Sequence, residues 1–467
     1  MLLRVAYDTA VIRVFRLLFV LVAISPLAFA TTRHYYIAAE DVTWDYAPSG
    51  RDLLGGRAIP TPWAGHTQWK KTRYIEYSDD TFTKPKPQPQ WLGILGPIIR
   101  AEVGDEIVVH FLNRSRTPTD IHPHGLRYDK DSEGAFYLPW GRGARLSTNR
   151  DFTYHWFADP GSGPGPGQLS SVVWWYHPHI DEGAQANAGL IGPIIITAKG
   201  MAKPDGSPKD VDREFVASFM IFDELAGKNE GQFHAINGYI FGNLLGLTMK
   251  QGERVRWYLM GMGNEKDIHT PHWHGKTLTD RHRNLDVLEL LPASTTAADM
   301  IADNPGTWLF HCQVSDHMEA GMFTTYTIYQ PSKRACPLQF VSGTFWGEIP
   351  DYSLNVKNTS GKPIRSFVLR YDQFLGPGYL VAPFNNQWHS TGEIAPGAEQ
   401  TVSMKSYLQG SSSIIAWAIS PSRIAYSDGT SWAPQQANEC FATFWKDKNP
   451  PTLVVLPPEQ IPMAQED

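Results

Sequence analysis

The sequence predicts an all-β protein in which two successive β-barrels are followed by a C-terminal β-sandwich-like domain. Runs rich in β-branched and aromatic residues, such as 106–112 and 190–196, are bounded by Gly, Pro, Asn and Asp, as strands are. The order of a strand followed by a histidine cluster occurs twice, since the runs 106–112 and 254–260 each precede such a cluster. Alternation of apolar and polar residues continues in 353–358 and 365–371, and the region after residue 335 contains one histidine, His389. This region therefore indicates an immunoglobulin-like sandwich without a histidine cluster.

Residues 1–30 have the features of a secretory signal peptide. Arginines precede an apolar run over 17–27, and the Ala-Phe-Ala at 28–30 fits a cleavage site. We therefore expect an exported protein, periplasmic or extracellular, with no membrane segment after cleavage. The alternative is a membrane anchor, for which the apolar run is short.

The remaining chain divides at polar, Pro/Gly-rich stretches. We predict a first barrel over 31–200, a second over 205–332 and a C-terminal domain of unknown role over 335–467. The net charge of −6 argues against a nucleic-acid partner.

The chain has three cysteines. Cys312 lies in a histidine-rich segment, which leaves Cys336 and Cys440. In an exported protein this pair favours a disulfide, with two free thiols as the alternative.

Nine of the sixteen histidines fall in four short segments. They are His122 and His124, then His177 and His179, then His269, His272 and His274, and finally His311 and His317. The last segment also holds Cys312 and Met322. Thiolate, imidazole and a distant thioether are the ligands of a blue-copper electron-transfer site.

These segments, in the order HxHG, HxH, HxxHxH and HCxxxxHxxxxM, resemble the multicopper oxidases. Several runs are similar to ceruloplasmin and its relatives, among them 121–125, 130–134, 234–238 and 258–265. The resemblance covers about residues 35–330. It implies that each of the first two domains is a cupredoxin barrel.

The resemblance also implies a copper assignment. Cys312, His269 and His317, with axial Met322, would hold type 1 copper, and His122 with His272 would hold type 2 copper. One type 3 copper would lie between His179, His274 and His311, and the other between His124, His177 and a histidine expected at 313. Catalytic roles fall on Cys312, His311 and His317, because electrons pass from type 1 copper through Cys312 to its neighbours.

Position 313 is glutamine, whose amide binds copper more weakly than imidazole. The chain thus keeps nine of the ten histidines of the family pattern and up to four coppers, with one type 3 site in doubt. Three outcomes are open: lower affinity, a missing copper, or substitution by another histidine. The candidate substitutes are His66, His155 and His282.

We therefore predict an oxidoreductase, a multicopper oxidase that couples one-electron oxidation of a small-molecule or metal-ion reductant to reduction of O2. We expect the reductant to be a metal ion such as Fe2+, or a phenol or aromatic amine. The alternative is a non-enzymatic blue-copper electron carrier or copper-binding protein with an incomplete cluster. Glu224 and Asp316 are candidate ligands for a substrate metal. Two-barrel members of the family form trimers, so we expect a homotrimer.

Overall fold

The computed structural model describes residues 31–225, 231–330, 336–346, 351–374, 380–381, 387–405, 416–434, 440 and 442–445. The predicted signal peptide, residues 1–30, lies outside the described residues. Within them, no helix combines the length and apolar character needed to cross a membrane.

Two facing sheets form the first barrel. Its strands are β1 (Thr32–Asp45), β2 (Arg51–Asp52), β3 (Arg57–Ala58), β4 (Gln68–Tyr77), β5 (Ile99–Glu102), β6 (Glu106–Asn113), β7 (His122–Pro123), β8 (Arg127–Tyr128), β9 (Asp151–Phe157), β10 (Ser171–His177) and β11 (Gly192–Thr197). The sheet orders are β4-β1-β6-β9-β8 and β5-β11-β10-β7, with β2 and β3 as a separate pair. The described helices here are 3-10 turns at Gln90–Leu92 and Lys130–Ser132 and helix α1 (Glu182–Asn187). Side chains such as Val109, Trp156 and Ile194 fill the space between the sheets.

The second barrel repeats this plan. Its strands are β12 (Arg213–Asp223), β13 (Gln232–Ile236), β14 (Thr248–Lys250), β15 (Arg254–Gly261), β16 (Pro271–Trp273), β17 (Leu278–Asp280), β18 (Arg283–Leu285), β19 (Ser294–Ile301), β20 (Gly306–Cys312) and β21 (Phe323–Tyr329), with helix α2 (Ser315–Glu319). The sheet orders are β13-β12-β15-β19-β17-β18 and β14-β21-β20-β16. Parallel pairing of β12 with β15 matches that of β1 with β6, so the repeat seen in the sequence is also a repeat of topology.

A shared apolar core joins the two barrels. Trp44 and Trp175 of the first barrel belong to the same buried cluster as Met220 and Tyr258 of the second. Tyr46 stacks on Phe233 with ring centroids 4.3 Å apart. An aromatic pair of this kind adds about 0.5–1.5 kcal/mol to the free energy gained by burial alone. The barrels therefore hold each other in place, and residues from both can line one site.

The C-terminal region contains two further sheets. Its strands are β22 (Leu338–Trp346), β23 (Asp351–Asn358), β24 (Ile364–Phe374), β25 (Leu380–Val381), β26 (Gln387–Ile394), β27 (Glu399–Lys405), β28 (Ala416–Tyr426), β29 (Ser431–Trp432) and β30 (Ala442–Trp445). The orders are β22-β23-β27 and β25-β24-β28-β29, with β26 beside β24 and β30 beside β28. A separate core contains Leu354, Leu369 and Ile424. The predicted fold class is confirmed. Every described sheet lies within one predicted domain, although the boundaries stay predictions.

Cys336 and Cys440 form a disulfide, 104 residues apart in sequence. The bond closes the C-terminal region on itself, and Cys312 is the free cysteine of the described chain.

We predict that C336S/C440S destabilises the C-terminal domain by about 2–5 kcal/mol, because the unfolded chain gains entropy when a long loop is opened. Calorimetry of the full chain should show a lower C-terminal transition, with the blue absorption of the copper-loaded protein unchanged. An unchanged thermogram would contradict this expectation.

Candidate copper sites

Strand β20 and helix α2 position the first metal-ligand group. Cys312 ends β20, and His317 lies on α2. His269 precedes β16, which pairs with β20 so that Pro271 lies opposite Cys312. The ligand atoms of His269, Cys312 and His317 converge, and all three residues are buried. The sequence-predicted type 1 residues are therefore brought together.

The distances within this group suit one metal ion. The Nδ1 atoms of His269 and His317 are 3.1 Å apart, and the Cys312 Sγ lies 3.9 and 3.6 Å from them. An ion with bonds of about 2.0–2.3 Å fits between three such atoms. Met322 is fully buried, and its carbonyl accepts a hydrogen bond from the Cys312 N–H. A thiolate, two imidazoles and a neighbouring thioether match the chemistry of type 1 copper.

Hydrogen bonds adjust the protonation of this group. Burial raises the pKa of the Cys312 thiol, but hydrogen bonds from His269, His317 and the Thr270 N–H outweigh burial and lower it to about 6. The thiolate is the form that binds metal. At neutral pH, Cys312 is therefore ready to act as a ligand.

Asp267 was missed by the sequence analysis, although it stands two residues before His269. Its buried Oδ1 lies 3.3 Å from the His269 Nε2. The same carboxylate accepts hydrogen bonds from the N–H groups of Ile221 and Asn264. An Nε2–H that donates to Asp267 keeps Nδ1 directed at Cys312, and when a metal binds, Nδ1 gives up its proton and supplies the lone pair.

His234 was also missed as a neighbour of the metal-ligand group. Its ring packs against that of His317 with centroids 4.9 Å apart, and its buried Nδ1 has no hydrogen-bond partner within the described part of the chain. Burial lowers the pKa of His234 to about 3, so its ring is neutral. In the sequence, His234 was noticed as part of the run 234–238, which resembles ceruloplasmin and its relatives, but the run indicated no role for this residue.

The same strand pairing builds a histidine pair in each barrel. His122 lies opposite His177 between β7 and β10, and His272 lies opposite His311 between β16 and β20. The Nε2 atoms of His124 and His177 face each other at 2.8 Å, and those of His274 and His311 at 3.1 Å.

Backbone carbonyls set the orientation of three rings in these pairs. The Nδ1–H groups of His122, His177 and His311 donate to the carbonyls of Glu133, Pro178 and Cys312, at 2.6, 2.9 and 2.8 Å. Each ring therefore presents an unprotonated Nε2. Burial lowers the pKa values of His122, His124 and His177 to about 4, which keeps these rings neutral at pH 7. Neutral imidazoles with converging lone pairs fit a metal.

Gln313 provides the same type of contact for His272. Its Oε1 lies 2.8 Å from the His272 Nδ1, so it can accept a hydrogen bond from that N–H, as the backbone carbonyls do for the other rings.

The three histidines considered as substitutes for a ligand at position 313 do not lie in the histidine groups. His155 pairs with Glu106, and His66 and His282 are exposed, with His282 outside any strand.

The two histidine groups do not meet within one chain. In the described residues, no hydrogen bond or ring contact joins His122, His124, His177 and His179 to His272, His274 and His311. The second group nevertheless brings its three ligand atoms within 4.8 Å of one another. His179 and His274 are partly exposed, so each group opens towards the surface.

The two candidate carboxylates differ in their surroundings. Asp316 is exposed at the start of α2. Glu224 is almost buried, and it forms an ion pair with the buried Lys71 and accepts a hydrogen bond from Tyr46 Oη at 2.5 Å.

Two sequence models described as multicopper oxidase match residues 92–200 and 220–332. Similar proteins include ferroxidase HEPHL1 of Mus musculus, 38% identical over 65% of this chain, human hephaestin, 35% identical over 67%, and rat ceruloplasmin, 34% identical over 66%. The chain spans about a third of the length of these relatives, at 30%, 30% and 33%. The match to a solved multicopper oxidase structure covers 64% of this chain and 90% of that protein, with 20% sequence identity and a TM-score of 0.47. Both barrels match multicopper oxidase domains and carry the metal-ligand groups, and the chain belongs to the multicopper oxidase family.

Proposed function

We propose that this protein is an exported multicopper oxidase that couples one-electron oxidation of a reductant to the reduction of O2 to water. The convergence of Cys312, His269 and His317 carries the proposal. When bound, copper would supply one-electron redox chemistry at this group and O2 chemistry at the histidine groups.

The chain itself connects the proposed copper sites. Cys312 and His311 are adjacent in sequence, and the His311 Nδ1–H donates to the Cys312 carbonyl. His311 directs its Nε2 towards His274. A short covalent path, reinforced by one hydrogen bond, therefore joins the thiolate to the histidine group.

We assign Gln313 to orienting His272 instead of binding copper. Its contact with Nδ1 leaves the His272 Nε2 free as a ligand, while the His124–His177 pair lacks its third histidine. The expected result is one type 3 copper held less tightly than the others. The alternative, an electron carrier with an incomplete cluster, rests on the same glutamine.

We propose that a second copy completes each histidine group and that the assembly is a homotrimer. Beside His179, the first barrel exposes an apolar loop that contains Phe136, Tyr137, Leu138 and Trp140. Leu138 is 78% exposed and Trp140 is 50% exposed. Such a patch marks a protein interface. A closed ring follows when one barrel of each chain meets the other barrel of the next.

The reductant is proposed to be an organic molecule or a metal ion. Asp316 precedes His317 and is exposed, so it is available to a cation. Glu224 is available only if Lys71 is displaced, because the ammonium already neutralises this carboxylate.

The first experiment is copper content after anaerobic loading and removal of loosely bound copper. We expect Q313H to retain one more copper per chain than the wild type, with equal blue absorption, because imidazole binds copper better than an amide. Equal copper content in both proteins would show that Gln313 does not weaken copper binding.

Oxygen consumption tests the oxidase activity in the same samples. We expect one O2 consumed for every four electrons taken from the reductant in wild type, and neither activity nor blue colour in C312S. A blue wild type that consumes no O2 would support the electron carrier.

We predict that L138D converts a trimer into single chains, since a charge in an apolar contact is strongly unfavourable. Type 1 absorption should remain, whereas copper at the histidine groups should be lost. Size-exclusion chromatography with light scattering measures the assembly. The control, V341D, changes an exposed residue of the C-terminal domain that is 38% exposed and should remain trimeric. A wild type that elutes as one chain would contradict the proposal.

A further inference from the structure

Three histidines share the outer face of the five-stranded sheet in the first barrel. His34 lies on β1, His110 on β6 and His155 on β9. Val108 pairs with His34 on one side and with His155 on the other, and His110 is two positions further along β6. Because side chains alternate along a strand, these residues face away from the core that contains Val109.

This group is separate from the proposed copper ligands. His122 and His177 of the same barrel belong to the other sheet, on β7 and β10. His155, which the sequence offered as a substitute for the ligand at position 313, lies on the outer face instead. The first barrel therefore carries a second set of imidazoles.

Two ligand atoms of this second set already converge. The His34 Nδ1 lies 3.1 Å from the His110 Nε2, and the two ring planes are 10° apart. Two imidazole nitrogens bound to one tetrahedral zinc ion, with bonds of about 2.0–2.1 Å, are separated by about 3.3 Å. The two rings are therefore spaced for one ion.

Neighbouring side chains hold the His110 ring in this orientation. Tyr36 stacks on the ring with centroids 4.6 Å apart, and the Thr153 Oγ1 lies 3.3 Å from the His110 Nδ1. When Nδ1–H donates to this hydroxyl, the Nε2 lone pair faces His34. Burial lowers the pKa of His110, and the neighbouring His34 acts in the same direction, so the His110 ring is neutral at pH 7.

His155 can supply a third imidazole. It lies diagonally across from His110, because the residue opposite His110 is Thr153, two positions before His155. Diagonal neighbours of this kind are about 7–8 Å apart, which a rotating ring can span. The partner of His155 is Glu106, at 2.9 Å, and the two side chains are 50% and 30% exposed. An exposed ion pair contributes little to stability, so His155 can exchange this partner for a metal ion.

We propose that His34, His110 and His155 bind a divalent transition-metal ion, with Zn2+ as the probe, on the outer face of the first barrel. Zinc takes four ligands, so water fills the fourth position. Without metal, the His34 Nδ1–H donates to His110. On binding, this proton moves through solvent to the His34 Nε2, which leaves a lone pair on each of the two converging nitrogens. The site is independent of the proposed oxidase function.

Calorimetry of the copper-loaded protein titrated with Zn2+ tests the site while the proposed copper sites are filled. We expect the wild type to bind one zinc more per chain than H34A/H110A, because two of three imidazoles are removed. Ca2+ prefers oxygen ligands and should not compete for this zinc. The matched control is H66A, which removes an exposed histidine outside the group and should bind zinc as the wild type does.

Two single variants test the geometry. T153V removes the hydroxyl that orients His110 and should weaken zinc binding by about tenfold, as loss of a contact to a metal-binding histidine does. H155A removes a ligand and should weaken zinc binding more than T153V does. Both variants should keep the blue absorption and the thermal unfolding of the wild type, because these side chains lie outside the core.

Equal zinc binding by wild type, H34A/H110A and H66A would overturn the proposal and leave an adventitious ion only. A wild-type affinity in H155A would overturn the assignment of the third ligand. Zinc that is displaced by an equal concentration of Ca2+ would also contradict a site made of imidazoles.

Discussion

The metal-ligand groups depend on one kind of hydrogen bond, in which one nitrogen of an imidazole is held by an oxygen so that the other nitrogen faces the site. Backbone carbonyls do this for His122, His177 and His311, and Asp267 does it for His269. A neutral imidazole has one N–H and one lone pair, so fixing the N–H also fixes the direction of the ligand atom. The strands supply position, and these hydrogen bonds supply orientation.

Orientation explains how a glutamine can stand among histidines without disrupting the group. Gln313 is in contact with His272 and can accept its N–H, the role that carbonyl oxygens have elsewhere. On the proposed copper assignment, Gln313 therefore orients His272 at a position where the family pattern has a ligand. Its consequence falls on the His124–His177 pair, which lies in the other barrel and does not contact Gln313 in the described chain.

The all-β class and the repeat could be predicted from the sequence pattern, whereas the convergence of Cys312 with His269 and His317 followed from the resemblance to the multicopper oxidases. The class and the repeat depend on local signals, because strand alternation and the order of the histidine clusters can be seen directly in the sequence. Asp267 was within reach of the same reasoning, since it stands two residues from His269. The contact between Lys71 and Glu224 could not be predicted in this way, because it joins residues that are 153 positions apart and belong to different barrels. Pairings of this kind depend on tertiary packing, for which a single sequence holds no local signal.

That ion pair bears directly on the choice of reductant. Lys71 is 2% exposed, and its ammonium lies 4.8 Å from the centre of the Phe222 ring, so Glu224 shares a pocket with a cation and an aromatic face. Burial lowers the pKa of Lys71, while the charge and hydrogen bond of Glu224 act in the opposite direction. A metal ion at Glu224 would have to displace the ammonium or bind beside it, and removing one partner of a buried ion pair leaves the other charge uncompensated. Asp223 differs from Glu224, because its buried Oδ1 has no hydrogen-bond partner among the described residues. On the proposed function, Asp316 beside His317 is therefore the exposed carboxylate that is open to a cation, whereas the charge of Glu224 is already balanced by Lys71.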